Sequence, residues 1–250
     1  MKKVLWLLLA AVLAAGIAAC GDDLDENNDS GSSGTTNSDS GGDKPAITVG
    51  SANFPENVVL AEIYAGALEA KDFQVSKKLN VGSREALFPA LKSGEITVVP
   101  EYSGALLSYL TDAKSDAKEI GEQVTDINAE LPTELTLLEP SAAEDKDTIT
   151  CNKETVDKYG LKSIEDLAKV GDQITIGGPP EFAKRAGFGL VALKRVYGAE
   201  FKKFQPLDVA GPLTVAALKD NKVQCANLFS TQSAIPANGF VTLEDPNGLV

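Results

Sequence analysis

Two rhythms of apolar residues run along this chain. Short apolar runs bounded by Gly, Pro or Asn have the length of buried strands, and longer stretches repeat apolar residues every three to four positions, as a helix with one buried stripe does. Residues 47–49 read as a strand. Val59, Leu60, Ile63, Tyr64, Ala67 and Leu68 then fall at helical spacing, so a helix reaching about Ala70 is expected to bury that stripe. Asn53 followed three residues later by Glu56 has the spacing of a capping box, and Pro55 suits a first helical turn. Further on, the pattern predicts a strand over 73–79, helices from Ser83, over 103–110 and over 120–131, and a strand over 135–138. That βαβαβα order implies a mostly parallel sheet covered on both faces. After a small and charged stretch at 139–147, strands are expected over 148–151, 174–176 and near 204–207. They are separated by a short helix capped by Ser163 with Asp166 and by a helix ending at Tyr197.

One phrase occurs twice. Residues 90–103 (ALKSGEITVVPEYS) and 217–230 (ALKDNKVQCANLFS) align without a gap. Each reads as the last turn of an apolar-faced helix, a stop at Gly94 or Asn221, a buried strand, and then an aromatic followed by Ser. Residues just past the carboxyl end of a strand in an α/β sheet line the crevice where ligands sit. Tyr102 and Phe229 therefore occupy matching positions in two similar lobes and are read either as rings facing a shared cleft or as two core aromatics. The free amides at the start of the first long helix would face the same crevice, where they suit a ligand carboxylate.

Composition narrows the function. The 250 residues carry a formal charge of −13 and are 43% hydrophobic, enough for one large or two ordinary domains. There is no basic stripe, which argues against a nucleic-acid partner. There is also no histidine, which removes the commonest general base and the commonest zinc ligand. No metal or cofactor is expected. The match of residues 187–192 to a dinucleotide fingerprint lacks the preceding buried strand that motif needs.

The start of the chain has the pattern of an export signal. Lys2 and Lys3 precede an apolar run over 4–18, and Ile17-Ala18-Ala19-Cys20 supplies small residues before a cysteine, as in the lipobox of a bacterial lipoprotein. Residues 1–19 are read as the removed signal, Cys20 as the lipidated residue and 20–45 as an acidic, flexible tether. The folded remainder divides into a first lobe over 46–143 and a second over 144–250.

Five stretches in order resemble one family: residues 50–54 (GSANF), 83–91 (SREALFPAL), 100–104 (PEYSG), 177–182 (GGPPEF) and 211–218 (GPLTVAAL). They are similar to the glycine betaine/choline/carnitine-type substrate-binding lipoproteins of osmoprotectant ABC transporters. The resemblance implies an α/β, two-lobed periplasmic-binding-protein fold of type II-like architecture. It also implies a small quaternary ammonium ligand, ABC permease subunits as partners, and a membrane position on the extracytoplasmic face through the N-terminal lipid. By position, Tyr102 and Phe229 match the family's aromatic cage, which holds a trimethylammonium head by cation–π attraction, and Arg185 matches its carboxylate-binding arginine. Asn53, Phe54, Ser103 and Thr231 complete the expected ligand-binding set. The chain departs from the family at Ala52, Asn57, Ala105 and Gln232, and in having no tyrosine over 147–150. The family's C-terminal return to the first lobe is expected to be missing or to lie beyond Val250.

Two readings compete with solute capture. One is an enzyme with Cys151 or Cys225 as nucleophile, for which the chain has no histidine to activate the thiol. The other is a surface lipoprotein of the same fold that has lost solute binding. Cys151 and Cys225 are open to pairing as a disulfide or to remaining buried thiols.

Overall fold

The computed structural model describes residues 44–249, so the signal-like segment, Cys20 and nearly all of the tether lie outside the described residues. Two sheets organise the rest. β1 (Ile47–Gly50) leads into α1 (Pro55–Glu69) and pairs in parallel with β2 (Val75–Lys78). The helices α2 (Arg84–Lys92), α3 (Ser103–Thr111) and α4 (Ile120–Glu130) follow. The chain then enters a five-stranded sheet built from β3 (Asp147–Cys151), α5 (Lys153–Tyr159), α6 (Leu167–Val170), β4 (Thr175–Gly178), α7 (Leu190–Tyr197), β5 (Lys203–Pro206), α8 (Pro212–Lys219), β6 (Cys225–Phe229), α9 (Ala234–Asn238) and β7 (Val241–Thr242). Its strand order is β5-β4-β6-β3-β7.

The second sheet is mixed. β4 runs parallel to β5 and β6, whereas β3 is antiparallel to both β6 and β7. Register places Cys151 opposite Cys225 and Asp147 opposite Phe229. The two cysteines form a disulfide, which decides between the alternatives left open by the sequence. Ile149, Ile174, Ile176, Phe182 and Leu193 are wholly buried around that sheet. Threonine hydroxyls on β3 bond to one another, to β7 and to the Leu228 carbonyl, so these buried polar groups keep partners.

The repeated phrase folds alike in both copies up to its strand. Gly94 and Asn221 both take the left-handed conformation, at φ 77° and 54°. The Ile96 amide donates to the Ala90 carbonyl at 3.1 Å, and the equivalent Val223 amide donates to Ala217 at 3.2 Å. The copies then part. The second forms β6, while the first makes only a bridge between Val98 and Val49. Both Thr97 and Val98 donate to the Thr48 carbonyl, a two-against-one pairing that breaks the ladder as a bulge does.

Three further expectations are corrected. The 135–138 segment forms no strand: Leu135 and Leu137 pack on the cluster of Phe88, Leu106, Leu107 and Ile127, but no neighbouring strand offers a ladder. The capping box fails because Phe54, extended at φ −135° and ψ 152°, is the N-cap of α1 and has no side-chain bond. The buried stripe of α1 is also a different one. Ala61 and Ala65 face the β1–β2 sheet, while Val59 and Ile63 are 56% and 57% exposed. α1 is apolar on two sides, and its small residues allow the closer approach to the sheet.

Candidate functional site

Phe54 ends the loop after β1, Tyr102 ends the first repeat and Phe229 ends β6. The fold brings all three together. The Phe54 ring lies 4.8 Å from that of Phe229 and 5.8 Å from that of Tyr102, tilted by 38° and 42°, so rings from both sheets form one half-buried cluster. The expected pair is thus a trio, and Phe54 stands between the two repeat-end rings. Beside the cluster lies a cavity of about 420 Å³ lined by Asn53, Phe54, Val58, Asn80, Asp208 and Pro212, among others.

Carboxylates rim the rings. Glu56 is freed from capping and accepts the Tyr102 hydroxyl at 2.8 Å and the Thr231 hydroxyl through its other oxygen. Asp145 accepts the Thr231 amide at 3.2 Å and the hydroxyls of Ser230 and Thr231, each at 3.1 Å. Burial, and then the neighbouring charge of Glu56, push the Asp145 carboxyl above its ordinary range. Burial followed by the bond to Glu56 pushes the Tyr102 phenol upward, so it stays a donor. Asp147, opposite Phe229, is likewise raised by burial, although the charge of Arg185 opposes the shift.

The two guanidinium groups nearby are engaged. Arg84 makes a forked pair with Glu101 at 2.7 and 3.0 Å, and Glu101 in turn accepts the Tyr102 amide at 3.1 Å, which fixes the backbone that presents the ring. Burial works against the charge on Arg84, but Glu101 holds its pKa above the usual value. Arg185, at the end of the 3₁₀ turn over Pro180–Ala183, pairs with Glu181 at 3.2 Å. Asn57 is wholly buried and ties the loop together, accepting the Ala52 amide at 2.7 Å and donating to the Pro100 carbonyl at 3.0 Å.

Of the residues singled out in the sequence, Phe54, Tyr102, Phe229 and Thr231 meet in one place. Asn53 is exposed on the cavity rim. Ser103 turns its hydroxyl to Gln123 at 2.7 Å, and Arg185 is held by Glu181. Glu56, Asp145, Arg84 and Glu101 escape the sequence reading as site residues. Glu56 carried a capping signal, and Asp145 lies in a stretch whose composition reads as a connection. Among the described residues, no helix is long and apolar enough to cross a membrane, and no group of three or more acidic or cysteine side chains could hold a metal ion.

Comparison with known proteins agrees with this architecture. Glycine betaine-binding protein YehZ of Escherichia coli (strain K12) is 28% identical over 215 residues, covering 81% of this chain and 70% of that protein. Carnitine transport binding protein OpuCC of Listeria monocytogenes is 33% identical over 93 residues, 37% of this chain and 30% of its own length. Among solved structures, a glycine betaine/carnitine/choline ABC transporter protein superposes with a TM-score of 0.58 at 20% identity, covering 82% of this chain and 76% of its own, which supports the two-lobed periplasmic-binding-protein fold. Residues 45–250 match the family model described as the substrate binding domain of ABC-type glycine betaine transport system. The chain belongs to that family of substrate-binding domains.

Proposed function

We propose that this protein captures a quaternary ammonium osmoprotectant on the extracytoplasmic face of the membrane, held there by lipid on Cys20, and delivers it to an ABC permease. The observation that carries the reading is the cluster of Phe54, Tyr102 and Phe229, rings drawn from both sheets and edged by carboxylates. A trimethylammonium head has no proton to donate, so ring faces and negative charge are the groups that attract it. Thr231 and the cavity-lining Asn53 supply polar contacts for the rest of such a ligand. Arg185 would hold a ligand carboxylate only by exchanging it for Glu181. Ser103 contributes through its place at the start of α3.

Calorimetric titration with glycine betaine, choline, carnitine and proline tests the reading. Binding of a quaternary ammonium compound, weakened about tenfold by Tyr102→Ala or Phe229→Ala, supports it. The alternative, a lipoprotein of this fold that no longer binds solute, is favoured by the Phe54 ring standing between the other two. Absence of heat with all four compounds decides for that alternative. Anchoring is tested separately: Cys20→Ala should leave an unprocessed precursor.

A further inference from the structure

We infer that the site prefers a quaternary ammonium monocation, such as choline, over a zwitterion carrying its own carboxylate, and that Glu56 and Asp145 impose the preference; this rests on the solute-binding reading above. One hydroxyl proton is shared between two carboxylates. The Thr231 hydroxyl reaches both Glu56 Oε2 and Asp145 Oδ1, and a hydroxyl has a single hydrogen to donate. Two carboxylates therefore converge on a group that satisfies one of them at a time. Among the described residues, no lysine or arginine forms a salt bridge with either.

The surrounding charges do not restore balance. Arg84 is committed to Glu101 and Arg185 to Glu181, and Asp147 and Glu85 also feel both guanidinium groups. Lys146, next to Asp145 in sequence, is exposed and pairs with Glu144. Of the six carboxylates Glu56, Glu85, Glu101, Asp145, Asp147 and Glu181, only Glu101 and Glu181 hold a guanidinium group in an ion pair, and Glu56 and Asp145, at the Tyr102 and Thr231 hydroxyls, pair with no lysine or arginine among the described residues. A ligand with a positive head supplies the missing charge. A ligand that also carries a carboxylate brings a seventh negative group into the same half-buried space, and like charges placed together there weaken binding. Tyr102 strengthens the bias, because its hydroxyl is already donated to Glu56 and is not free for a ligand carboxylate.

The experiment uses the full chain and isothermal titration with choline, tetramethylammonium and glycine betaine. It is repeated in Glu56→Gln and Asp145→Asn, which keep an acceptor oxygen and remove the charge. We expect choline to bind about tenfold or more tighter than glycine betaine. Each variant should weaken choline and tetramethylammonium by a larger factor than glycine betaine, whose own carboxylate is repelled less once the charge is gone, so that the ratio narrows. The ratio is the readout because a general loss of fold lowers all three affinities together, and melting curves of the variants check this directly. Glycine betaine binding as tightly as choline, or a ratio that neither substitution moves, overturns the inference while leaving solute binding standing. No binding by any of the three overturns the inference, and absence of heat with carnitine and proline as well overturns solute binding with it.

Discussion

Glu56 shows how one side chain can satisfy a sequence rule and still serve another purpose. Its spacing from Asn53 fits a capping box, yet the extended Phe54 takes the cap position and Glu56 turns to Tyr102 and Thr231. The rings were legible because strand-end positions in a repeat are legible; the carboxylates were not, because a bond between residues 56 and 231 exists only once the chain is folded. Asp145 gives a test at this scale. Its folded pKa lies above the ordinary 3.8, so the stability it contributes is complete below that value and is lost as pH rises through the folded pKa. At neutral pH the ionised group is a net cost. Asp145→Asn should therefore stabilise the ligand-free protein at pH 7 by about 0.5 kcal/mol, a small figure because the group is half-exposed and solvent screens it. The gain should shrink toward zero as pH approaches 4, and urea midpoints at the two pH values measure it. Arg84→Met should act in the opposite direction. It leaves Glu101 without its partner where the two side chains are only 19% and 16% exposed, and a loss of about 3 kcal/mol is expected in urea unfolding.

At the scale of elements, α1 separates two readings that periodicity alone cannot. A helix apolar on two sides has two stripes at the same spacing, and which one is buried depends on how closely the backbone must approach the sheet. Ala61 and Ala65 permit that approach over Val49, Ile47 and Val75, while Val59, Ile63 and Tyr64 stay outside. Val59→Lys and Ile63→Lys should each change stability by less than about 0.5 kcal/mol. Ala61→Leu and Ala65→Leu should each lose about 1–3 kcal/mol through overpacking. Thermal melts of the four variants decide the matter, and a large loss at Val59 or Ile63 would show that the outer face is covered in solution. The repeated phrase teaches a related lesson. Its helix stops were legible from Gly94 and Asn221 because a left-handed residue is a local requirement. Its first strand was not, because a ladder needs a partner in register and the double donation of Thr97 and Val98 to Thr48 breaks it.

For the folded body, the alternation of strands and helices and the family motifs made an α/β architecture readable, but strand direction was not. Apolar runs mark strands equally well in either direction, and β3 lies antiparallel to both neighbours. That pairing is also what decides the cysteines. Two cysteines on expected strands fit buried thiols or a bridge, and only the register of β3 on β6 sets Cys151 against Cys225. The bridge spans 74 residues that include β4, β5 and α8, so it closes two of the five strands of the second sheet into one loop pinned at the end of β3 and the start of β6. In the chain-entropy account a loop of that length contributes about 4 kcal/mol, and less if the reduced chain keeps residual structure. Replacing both residues by alanine should therefore move the urea midpoint downward by the equivalent of about 2–4 kcal/mol. Both cysteines are fully buried, which adds a kinetic expectation. A reductant can reach the bond only when the second sheet opens, so alkylation of Cys151 and Cys225 in dithiothreitol, followed by peptide mass spectrometry, should rise only across the urea unfolding transition. Rapid alkylation of both residues without denaturant would mean that the sheet opens far more readily than its packing implies, and the rings that β6 helps to position would then share that mobility.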